Sequence, residues 1–535
     1  MTSTHSGVRL CLLMAGAGLL FAPIPRALGA APLDGCGQLA KLEIPGTTIV
    51  GAQSIEAGTF KPPKGDPIPN LPAFCRLSAV AKPSSDSDIK FEVWMPAAGW
   101  NGRLWAIGNL AFAGSIIYWE LGGDLAEGYA VVGTDAGHQG GLLDSSWAVG
   151  HPEKVIDNGF RAIHEVTAST KRIIAAFYGR KPTHSYFCGC SDGGREGLME
   201  AQRYPDDYDG IIAGAPAIED VPLDMAWQQF AWLGDGASYI PTSKLAAIQA
   251  AALAACDRID GIVDGIIGDP QRCTFDPGTL ACNGAETDRC LTQAQLMTLR
   301  RLYAGAVRAD GSRVFHGYSP GAEAEPEGWG RYITGSGPGK SFAFQMGLGY
   351  MRDFVYGDPK WDFHSFNPER DAQIAHQKLA AISLPSDPDL SRFVARGGKL
   401  ILYHGWNDAA IPALATVDYY QRVIDTIGEE KANKGVRLFM APGMLHCDSG
   451  PGPNSFGQWA AGAGDPSTKI GAALQRWAEE GIAPERIIAS KRKNDDDDAS
   501  EVIRRRPLCA YPNVTHFRGQ GSTDSAASFD CSPAP

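Results

Sequence analysis

Short runs of apolar residues alternate along this chain with segments whose apolar residues recur every three to four positions. The short runs predict β-strands over residues 91–95, 103–108, 129–135, 185–190, 210–213, 399–404 and 436–440. The periodic segments predict helices over residues 160–178, 195–203, 413–427 and 470–480. Strands that alternate with helices are typical of an α/β protein with a mostly parallel sheet.

The alternation stops between about residues 216 and 396. This stretch contains four cysteines and is rich in Gly, Pro and Trp. We predict that it is an insertion between two core strands, and that it lies as a lid over the carboxyl ends of the strands, where such sheets bind ligands. The predicted division is a catalytic domain of residues 31–216 and 397–535 and a lid domain of residues 217–396.

Length and charge restrict the class of partner. At 535 residues the chain is long enough for a large core with an elaborated insertion. Its formal net charge of −12 provides no basic surface for nucleic acid and would be repelled by anionic membranes. We therefore expect a small-molecule substrate and no nucleic-acid partner.

Residues 1–30 have the features of a signal peptide. A weakly positive start precedes an apolar run over residues 10–23, and the small residues Gly29, Ala30 and Ala31 follow it. The run is short for a bilayer span, and an uncleaved anchor is the alternative. The predicted location is secreted or periplasmic, with no membrane attachment after cleavage.

Twelve cysteines in an exported chain predict disulfides. Removal of Cys11 with the signal peptide leaves eleven. The spacing favours local pairs, namely Cys36 with Cys75, Cys256 with Cys273, Cys282 with Cys290 and Cys509 with Cys531. A long-range pair of Cys190 with Cys447 then leaves Cys188 as a buried free thiol. Metal binding by Cys188 and Cys190 is a poorer interpretation, because no second Cys or His pair lies at a ligand spacing nearby.

The segment Gly189-Cys190-Ser191-Asp192-Gly193 matches the pattern GxSxG. Small residues around the serine allow a sharp turn from a strand to a helix that exposes the hydroxyl, and both predicted elements flank the motif here. A serine nucleophile needs a base and an acid that orients the base. We predict Asp408, at the end of a strand, as the acid and His446 as the base, in the chain order Ser, Asp, His.

Two other histidines are weaker candidates for the base. His404 lies at a strand end beside Asp408, where a structural hydrogen bond is the simpler role. His138 follows another predicted strand, and a structural role is also simpler there. Cysteines adjoin both Ser191 and His446, so that a meeting of these two residues would bring Cys190 and Cys447 together as well.

An oxyanion needs preorganised N–H donors. We expect one from the backbone of Asp192, the residue after the nucleophile, and a second from the loop after an early strand. That loop is Gly108-Asn109-Leu110-Ala111, and the prediction is the N–H of Leu110 or Ala111.

The predicted lid contains an acidic, glycine-bearing turn. Carboxylates at Asp257, Asp260 and Asp264, with the carbonyls of Ile262 and Ile266, could surround one hard cation. Oxygen ligands in a flexible loop favour a structural calcium over zinc or magnesium. The alternative is a solvated acidic turn.

With these motifs the chain resembles the tannase and feruloyl esterase family of α/β-hydrolases, which also includes mono(2-hydroxyethyl) terephthalate hydrolases. The resemblance extends over residues 128–138, the Cys190-Ser191 and His446-Cys447 pairs, residues 208–216 and the acidic turn. It implies an α/β-hydrolase fold with a mostly parallel central sheet and a large lid domain inserted between core strands. It also implies a Cys190–Cys447 disulfide beneath the triad, lid calcium at the five positions given above, and hydrolysis of esters of aromatic acids.

Two positions differ from the family pattern. Members usually have GNGG where this chain has Gly108-Asn109-Leu110-Ala111, and the terephthalate monoester hydrolases have Phe at the position of Ile411. Flat apolar walls for an aromatic acid are available in the insertion, mostly as lid core: Trp227, Trp232, Trp329, Tyr332, Phe342, Phe344, Tyr350 and Phe354. Arg331 and Arg352 are possible partners of a substrate carboxylate or phenol.

The resulting hypothesis is a secreted serine esterase that forms an acyl-enzyme with feruloyl, p-coumaroyl or galloyl esters, small or derived from a plant polymer. The alternatives are a terephthalate monoester hydrolase, a serine peptidase of the same fold, and a carbohydrate- or lignin-binding module with a relic triad. The sequence leaves open the preferred acid and alcohol, the lid residues that contact substrate and the oligomeric state. No organic cofactor is expected.

Overall fold

The computed structural model describes residues 33–534 apart from 235, 309, 463, 496 and 498. The predicted signal peptide and Cys11 lie outside the described residues. The strands are β1 (Thr47–Ile55), β2 (Gly58–Phe60), β3 (Ile68–Leu71), β4 (Phe74–Ala81), β5 (Ile89–Pro96), β6 (Arg103–Ile107), β7 (Ala130–Thr134), β8 (His184–Cys190), β9 (Gly210–Gly214), β10 (Ala306–Val307), β11 (Arg313–Phe315), β12 (Lys399–Gly405), β13 (Val436–Ala441), β14 (Arg486–Arg492), β15 (Val502–Cys509), β16 (Asn513–Phe517) and β17 (Phe529–Pro533).

The helices lie mainly between these strands. They are α1 (Tyr118–Ala126), α2 (Pro152–Ile156), α3 (Ala162–Tyr178), α4 (Asp192–Arg203), α5 (Val221–Trp227), α6 (Leu245–Cys256), α7 (Gln293–Ala304), α8 (Phe342–Gly349), α9 (Pro368–Ser383), α10 (Ser391–Ala395), α11 (Ala413–Ile427), α12 (Glu429–Gly435) and α13 (Ile470–Glu480). Among the described residues, no helix combines the length and the apolar composition needed to cross a bilayer.

A large central sheet runs in the order β1-β4-β5-β7-β6-β8-β9-β12-β13. From β7 to β13 every neighbouring pair is parallel, whereas β1, β4, β5 and β7 pair antiparallel. Apolar residues of α3, α4 and α11 pack on one face of the sheet, and those of α1 and α13 pack on the other. This is the α/β-hydrolase fold predicted from the sequence.

The predicted strands correspond to β5–β9, β12 and β13, with ends that differ by at most two residues. Helices α11 and α13 match their predicted bounds, and α4 begins three residues earlier than predicted, directly after Ser191. The antiparallel strands β1 and β4 were not predicted. Strand β1 is half-exposed and has a register shift between Ile49 and Gly51, so that its alternation of apolar and polar residues is weak.

The long insertion joins two adjacent strands of the sheet, β9 and β12, whose register places Gly210 beside Lys399. It contains α5–α10, and its apolar residues form a cluster of their own together with core residues such as Phe112, Trp147 and Ile411. Helices α5 and α8 continue into wider π-helical turns, Gln228–Leu233 and Tyr350–Tyr356. The insertion therefore packs as a unit over the carboxyl ends of β8 and β12.

Candidate active site

Ser191 occupies a sharp turn between β8 and α4, with φ 65° and ψ −118°. Both flanking positions must be glycine because a side chain would clash with the backbone. An added Cβ at Gly189 would lie 2.6 Å from the carbonyl carbon of Gly193. A Cβ at Gly193 would in turn lie 2.9 Å from the carbonyl oxygen of Asn109. The hydroxyl of Ser191 is hydrogen-bonded to no described residue. The turn therefore presents Ser191 in the strained conformation that GxSxG predicts.

Asp408 lies just after β12 and is completely buried, where its Oδ2 is 2.7 Å from Nδ1 of His446. The other oxygen accepts hydrogen bonds from the N–H groups of Ala410 and Ile411 at 2.7 and 2.9 Å. Burial acts to raise the pKa of Asp408, but the charge of His446 and hydrogen bonds from His404 and His446 outweigh it and hold this pKa below its ordinary value. Asp408 is thus an ionised partner for the imidazole of His446.

His404 is engaged elsewhere and completely buried. Its Nδ1 contacts the hydroxyl of Thr416 at 2.8 Å, and its Nε2 contacts Asp408 at 3.0 Å and the carbonyl of Ile411 at 3.2 Å. Both ring nitrogens therefore have partners away from Ser191. His138 is also buried, and it stacks on Trp147 with ring centroids 3.7 Å apart.

Ser191 and His446 line one cavity of about 520 Å³. Asp192, Leu110 and Ala111, the predicted oxyanion residues, line the same cavity. The N–H groups of Leu110 and Ala111 donate to no acceptor among the described residues. Asp192 is the first residue of α4, so its N–H has no acceptor within the helix. Three residues of the cavity lining thus have backbone N–H groups without an acceptor among the described residues.

The insertion supplies four of the predicted aromatic side chains to the cavity, namely Tyr332, Phe342, Tyr350 and Phe354. Trp227, Trp232, Trp329 and Phe344 do not line it. Phe354 stacks on Phe112, with ring centroids 5.1 Å apart, and Tyr350 stacks on Phe354 at 5.8 Å. Phe112 belongs to the core domain, and no periodic pattern or motif in the sequence pointed to it. Together these rings form a flat apolar wall.

Polar residues line the cavity beside His446. Asp448 and Ser449 follow His446 closely along the chain, and Trp459 donates from Nε1 to Asp448 at 3.1 Å. The sequence did not single out Asp448 or Trp459, because their place at the cavity depends on the fold of the loop after β13. Both arginines of the lining are paired with carboxylates, Arg195 with Asp192 at 2.5 Å and Arg331 with Glu327. Arg352 does not line the cavity and pairs with Asp353.

The five predicted disulfides are all present, and they are Cys36–Cys75, Cys190–Cys447, Cys256–Cys273, Cys282–Cys290 and Cys509–Cys531. Cys188 is a buried free thiol, as predicted. Its sulfur donates to the carbonyl of Gln458 at 3.3 Å.

The acidic turn after α6 is compact. Asp257 accepts from the N–H groups of Asp264 and Gly265 at 3.2 and 3.0 Å, and Asp264 pairs with Arg506. Burial, with the nearby charges of Asp264 and Asp257, raises the pKa of Asp260 to about 6. Within the described residues, however, no three His, Cys, Asp or Glu side chains converge on one point in a metal-site arrangement. The oxygen donors of the turn suit a hard cation, but Asp257 and Asp264 are engaged by backbone N–H groups and by Arg506.

The family model for tannase and feruloyl esterase matches residues 75–532. The chain belongs to the tannase and feruloyl esterase family. It is 42% identical to an uncharacterized esterase of Xanthomonas campestris pv. campestris, an alignment that covers 94% of this chain and 91% of that protein. It is 32% identical to a probable feruloyl esterase B-1 of Aspergillus fumigatus over 86% of this chain and 85% of that protein.

Solved structures of the family share the fold. Feruloyl esterase B from Aspergillus oryzae superposes with a TM-score of 0.85 at 29% identity and covers 94% of this chain and 100% of its own. Tannin acyl hydrolase from Aspergillus niger has a TM-score of 0.72 at 22% identity. The superposition covers 91% of this chain and 92% of the hydrolase chain. The chain is therefore a carboxylic ester hydrolase.

Proposed function

We propose that this protein is a serine esterase that hydrolyses esters of aromatic carboxylic acids, such as feruloyl, p-coumaroyl or galloyl esters, through an acyl-enzyme. One observation carries the proposal. Ser191 and His446 line a single cavity whose wall includes stacked aromatic rings, and the buried carboxylate of Asp408 contacts His446 from behind. The relatives named feruloyl esterase support the same acyl class.

The roles follow from the chemistry of acyl transfer. Nε2 of His446 takes the proton of the Ser191 hydroxyl as its oxygen attacks the ester carbonyl. Asp408 holds the imidazole by its Nδ1 and stabilises the imidazolium that forms. The N–H groups of Asp192 and of Leu110 or Ala111 donate to the oxyanion. The tetrahedral intermediate then collapses, the bond to the alcohol breaks, and His446 gives its proton to the leaving oxygen.

Deacylation repeats this sequence with water as the nucleophile. His446 takes one proton from water, the hydroxide oxygen bonds to the acyl carbon, and the bond to Ser191 breaks. The proton returns from His446 to the serine oxygen, so that the enzyme is regenerated and the aromatic acid is released.

The position of His446 orients the substrate. Because His446 protonates the leaving alcohol, that alcohol lies next to His446, and Asp448 and Ser449, which follow His446 along the chain, line the same cavity. The acyl group then lies against Phe112, Phe354 and Tyr350. We propose that the aromatic acid occupies the ring-lined side and a hydroxyl-bearing alcohol occupies the polar side.

Neither alternative activity is favoured by a specific contact. A terephthalate monoester carries a second carboxylate, but both cavity arginines are already paired with carboxylates, and Ile411 stands where the terephthalate monoester hydrolases have Phe. No feature of the cavity favours an amide over an ester.

We also propose a structural calcium in the lid, held by Asp257, Asp260 and Asp264 with the carbonyls of Ile262 and Ile266. The proposal is supported by the oxygen-donor chemistry of this glycine-bearing turn and by the resemblance to the family, which implies calcium at these positions. When bound, the ion would neutralise this cluster and brace the turn, and it takes no part in the reaction. Export from the cytoplasm is proposed on the five disulfides, which persist in oxidising compartments.

The decisive experiment compares the wild type with Ser191→Ala on methyl ferulate, methyl p-coumarate and methyl gallate, with matched amides alongside. We expect kcat/KM of the variant to fall by at least about 10⁴-fold on every ester, as for other serine hydrolases that lose the nucleophile. Thermal unfolding and near-UV circular dichroism should be unchanged. Hydrolysis retained by Ser191→Ala in a clean preparation contradicts the proposal. If the wild type hydrolyses the amides faster than the matched esters, the protein is a peptidase and the proposed substrate class is wrong.

A further inference from the structure

Glu196 lies one helical turn after Asp192 in α4, and its side chain points back to the loop after β6. Its Oε2 accepts a hydrogen bond from the backbone N–H of Asn109 at 2.8 Å. Both residues are 2% exposed. Glu196 does not line the cavity. A buried carboxyl group of the nucleophile helix thus holds the residue that directly precedes Leu110 and Ala111.

The loop is fixed from its other side as well. Nδ2 of Asn109 donates to the carbonyls of Thr134, at the end of β7, and Ser115, at 2.9 and 3.3 Å. At Gly108 an added Cβ would lie 2.7 Å from Cα of Gly193 and 3.1 Å from Oε2 of Glu196. The loop is therefore pressed against the start of α4, and the carboxyl group of Glu196 is the side-chain acceptor at that contact.

We propose that Glu196 is a positioning residue for the oxyanion hole: its hydrogen bond from Asn109 fixes the distance between the N–H groups of the β6 loop and the N–H of Asp192. The proposal rests on the roles given above for Leu110, Ala111 and Asp192. The donors of an oxyanion hole come from two separate chain segments, and they stabilise the transition state only when both are held at the correct separation. The Asn109–Glu196 hydrogen bond joins these two segments.

The electrostatics around Glu196 suit a neutral acceptor. Burial, reinforced by the charge of Asp192, raises the pKa of Glu196 to about 8 against the opposing charge of Arg195. Arg195 donates to Asp192 and to the carbonyls of Gly159 and Asn158 instead. Oε1 of Glu196 is buried and has no partner among the described residues. A glutamine amide would keep the acceptor oxygen for Asn109 and fill the same volume.

This predicts different outcomes for two substitutions of similar size. Glu196→Gln retains an acceptor at the position of Oε2, whereas Glu196→Met retains the length of the side chain and removes the acceptor. We expect kcat of Glu196→Gln to stay within about 3-fold of the wild type. We expect kcat of Glu196→Met to fall by about 30-fold with KM changed less than about 3-fold, because loss of an oxyanion donor costs 10²–10³ and a displaced donor costs less.

The assay substrate is p-nitrophenyl acetate, which reports on the oxyanion hole even if the aromatic class proposed above is wrong. Rates are divided by the concentration of active sites, which is measured by titration of Ser191 with a fluorophosphonate. Misfolded protein then does not enter the comparison. Glu196→Asp is the second variant, since it keeps the carboxyl group but withdraws it by one methylene, and we expect a loss of kcat similar to that of Glu196→Met. Wild-type kcat in Glu196→Met or Glu196→Asp, or a Glu196→Gln variant as impaired as Glu196→Met, overturns the inference.

Discussion

The disulfide between Cys190 and Cys447 joins the residue before Ser191 to the residue after His446, with Cα atoms 6.0 Å apart. The two cysteines are 257 residues apart in the chain. Ser191 lies on the turn after β8, whereas His446 lies on the loop after β13, three strands away in the sheet. The covalent bond therefore fixes the nucleophile and its proposed base relative to each other.

The double variant Cys190→Ala/Cys447→Ala should lose both stability and activity. We expect a loss of about 2–5 kcal/mol in the free energy of unfolding, since the crosslink closes a long loop. We also expect kcat to fall by about 10²-fold, because a displacement of about 1 Å between reacting groups has that effect. Chemical denaturation and methyl ferulate turnover measure the two changes.

The matched control is Cys282→Ala/Cys290→Ala, which removes a disulfide of the insertion that closes only 8 residues. It should leave kcat within about 2-fold, because neither cysteine lines the cavity. Equal losses of kcat in the two double variants would show that the Cys190–Cys447 bond has no special role at the site.

Two histidines contact Asp408, and their substitution separates their roles. His446→Ala should abolish covalent labelling of Ser191 by a fluorophosphonate, since Ser191 then has no base. His404→Gln should retain labelling, at a reduced rate, because His404 only positions Asp408. The amide of the glutamine can still donate a hydrogen bond to Asp408. Labelling that survives in His446→Ala and disappears in His404→Gln would assign the base to His404.

Removal of calcium should affect stability and leave the chemistry intact. We expect a chelator to lower the midpoint of thermal unfolding, and added calcium to restore it, because the ion would bind the folded turn more tightly than the unfolded chain. The value of kcat, measured well below the midpoint, should not change. Asp260→Asn should abolish the response to chelator, while Asp310→Asn, on an exposed turn of the same insertion, should keep it. A wild type without any response contradicts the calcium site.

Asp135 should make the protein less stable as pH rises. Burial raises the pKa of Asp135 to about 7, despite hydrogen bonds from the N–H groups of Gly137 and Lys90. In the unfolded chain the same carboxyl group titrates near pH 4. Between about pH 4 and 7 the folded state thus holds one more proton, and the free energy of unfolding falls by up to about 1.4 kcal/mol per pH unit.

Asp135→Asn removes this contribution, because the amide cannot titrate and its oxygen still accepts both N–H groups. Urea denaturation of both proteins between pH 5 and 7 measures the difference, since other titrating groups are common to the two. Parallel pH profiles of wild type and variant would show that Asp135 is ionised in the folded protein.

The core of the fold was predictable because its strands are almost completely buried and therefore mostly apolar, as in β7 and β9. The candidate nucleophile and base were predictable from the GxSxG pattern at Ser191 and from the cysteines next to Ser191 and His446. Strand β1 was missed because a half-exposed edge strand has little apolar signal. The roles suggested for Glu196 and Phe112 depend on contacts between distant segments, which no local pattern in the sequence encodes.

The insertion between β9 and β12 contributes Tyr332, Phe342, Tyr350 and Phe354 to the cavity, while Ser191, Asp408 and His446 all come from loops of the central sheet. The proposed reactive groups and most of the proposed binding wall for the acid are thus encoded in separate stretches of the gene. Selection for a new substrate can remodel one stretch while the other stays unchanged. A chimera that carries the insertion of a relative with a different preference should accordingly inherit that relative's choice of acid and keep this chain's nucleophile.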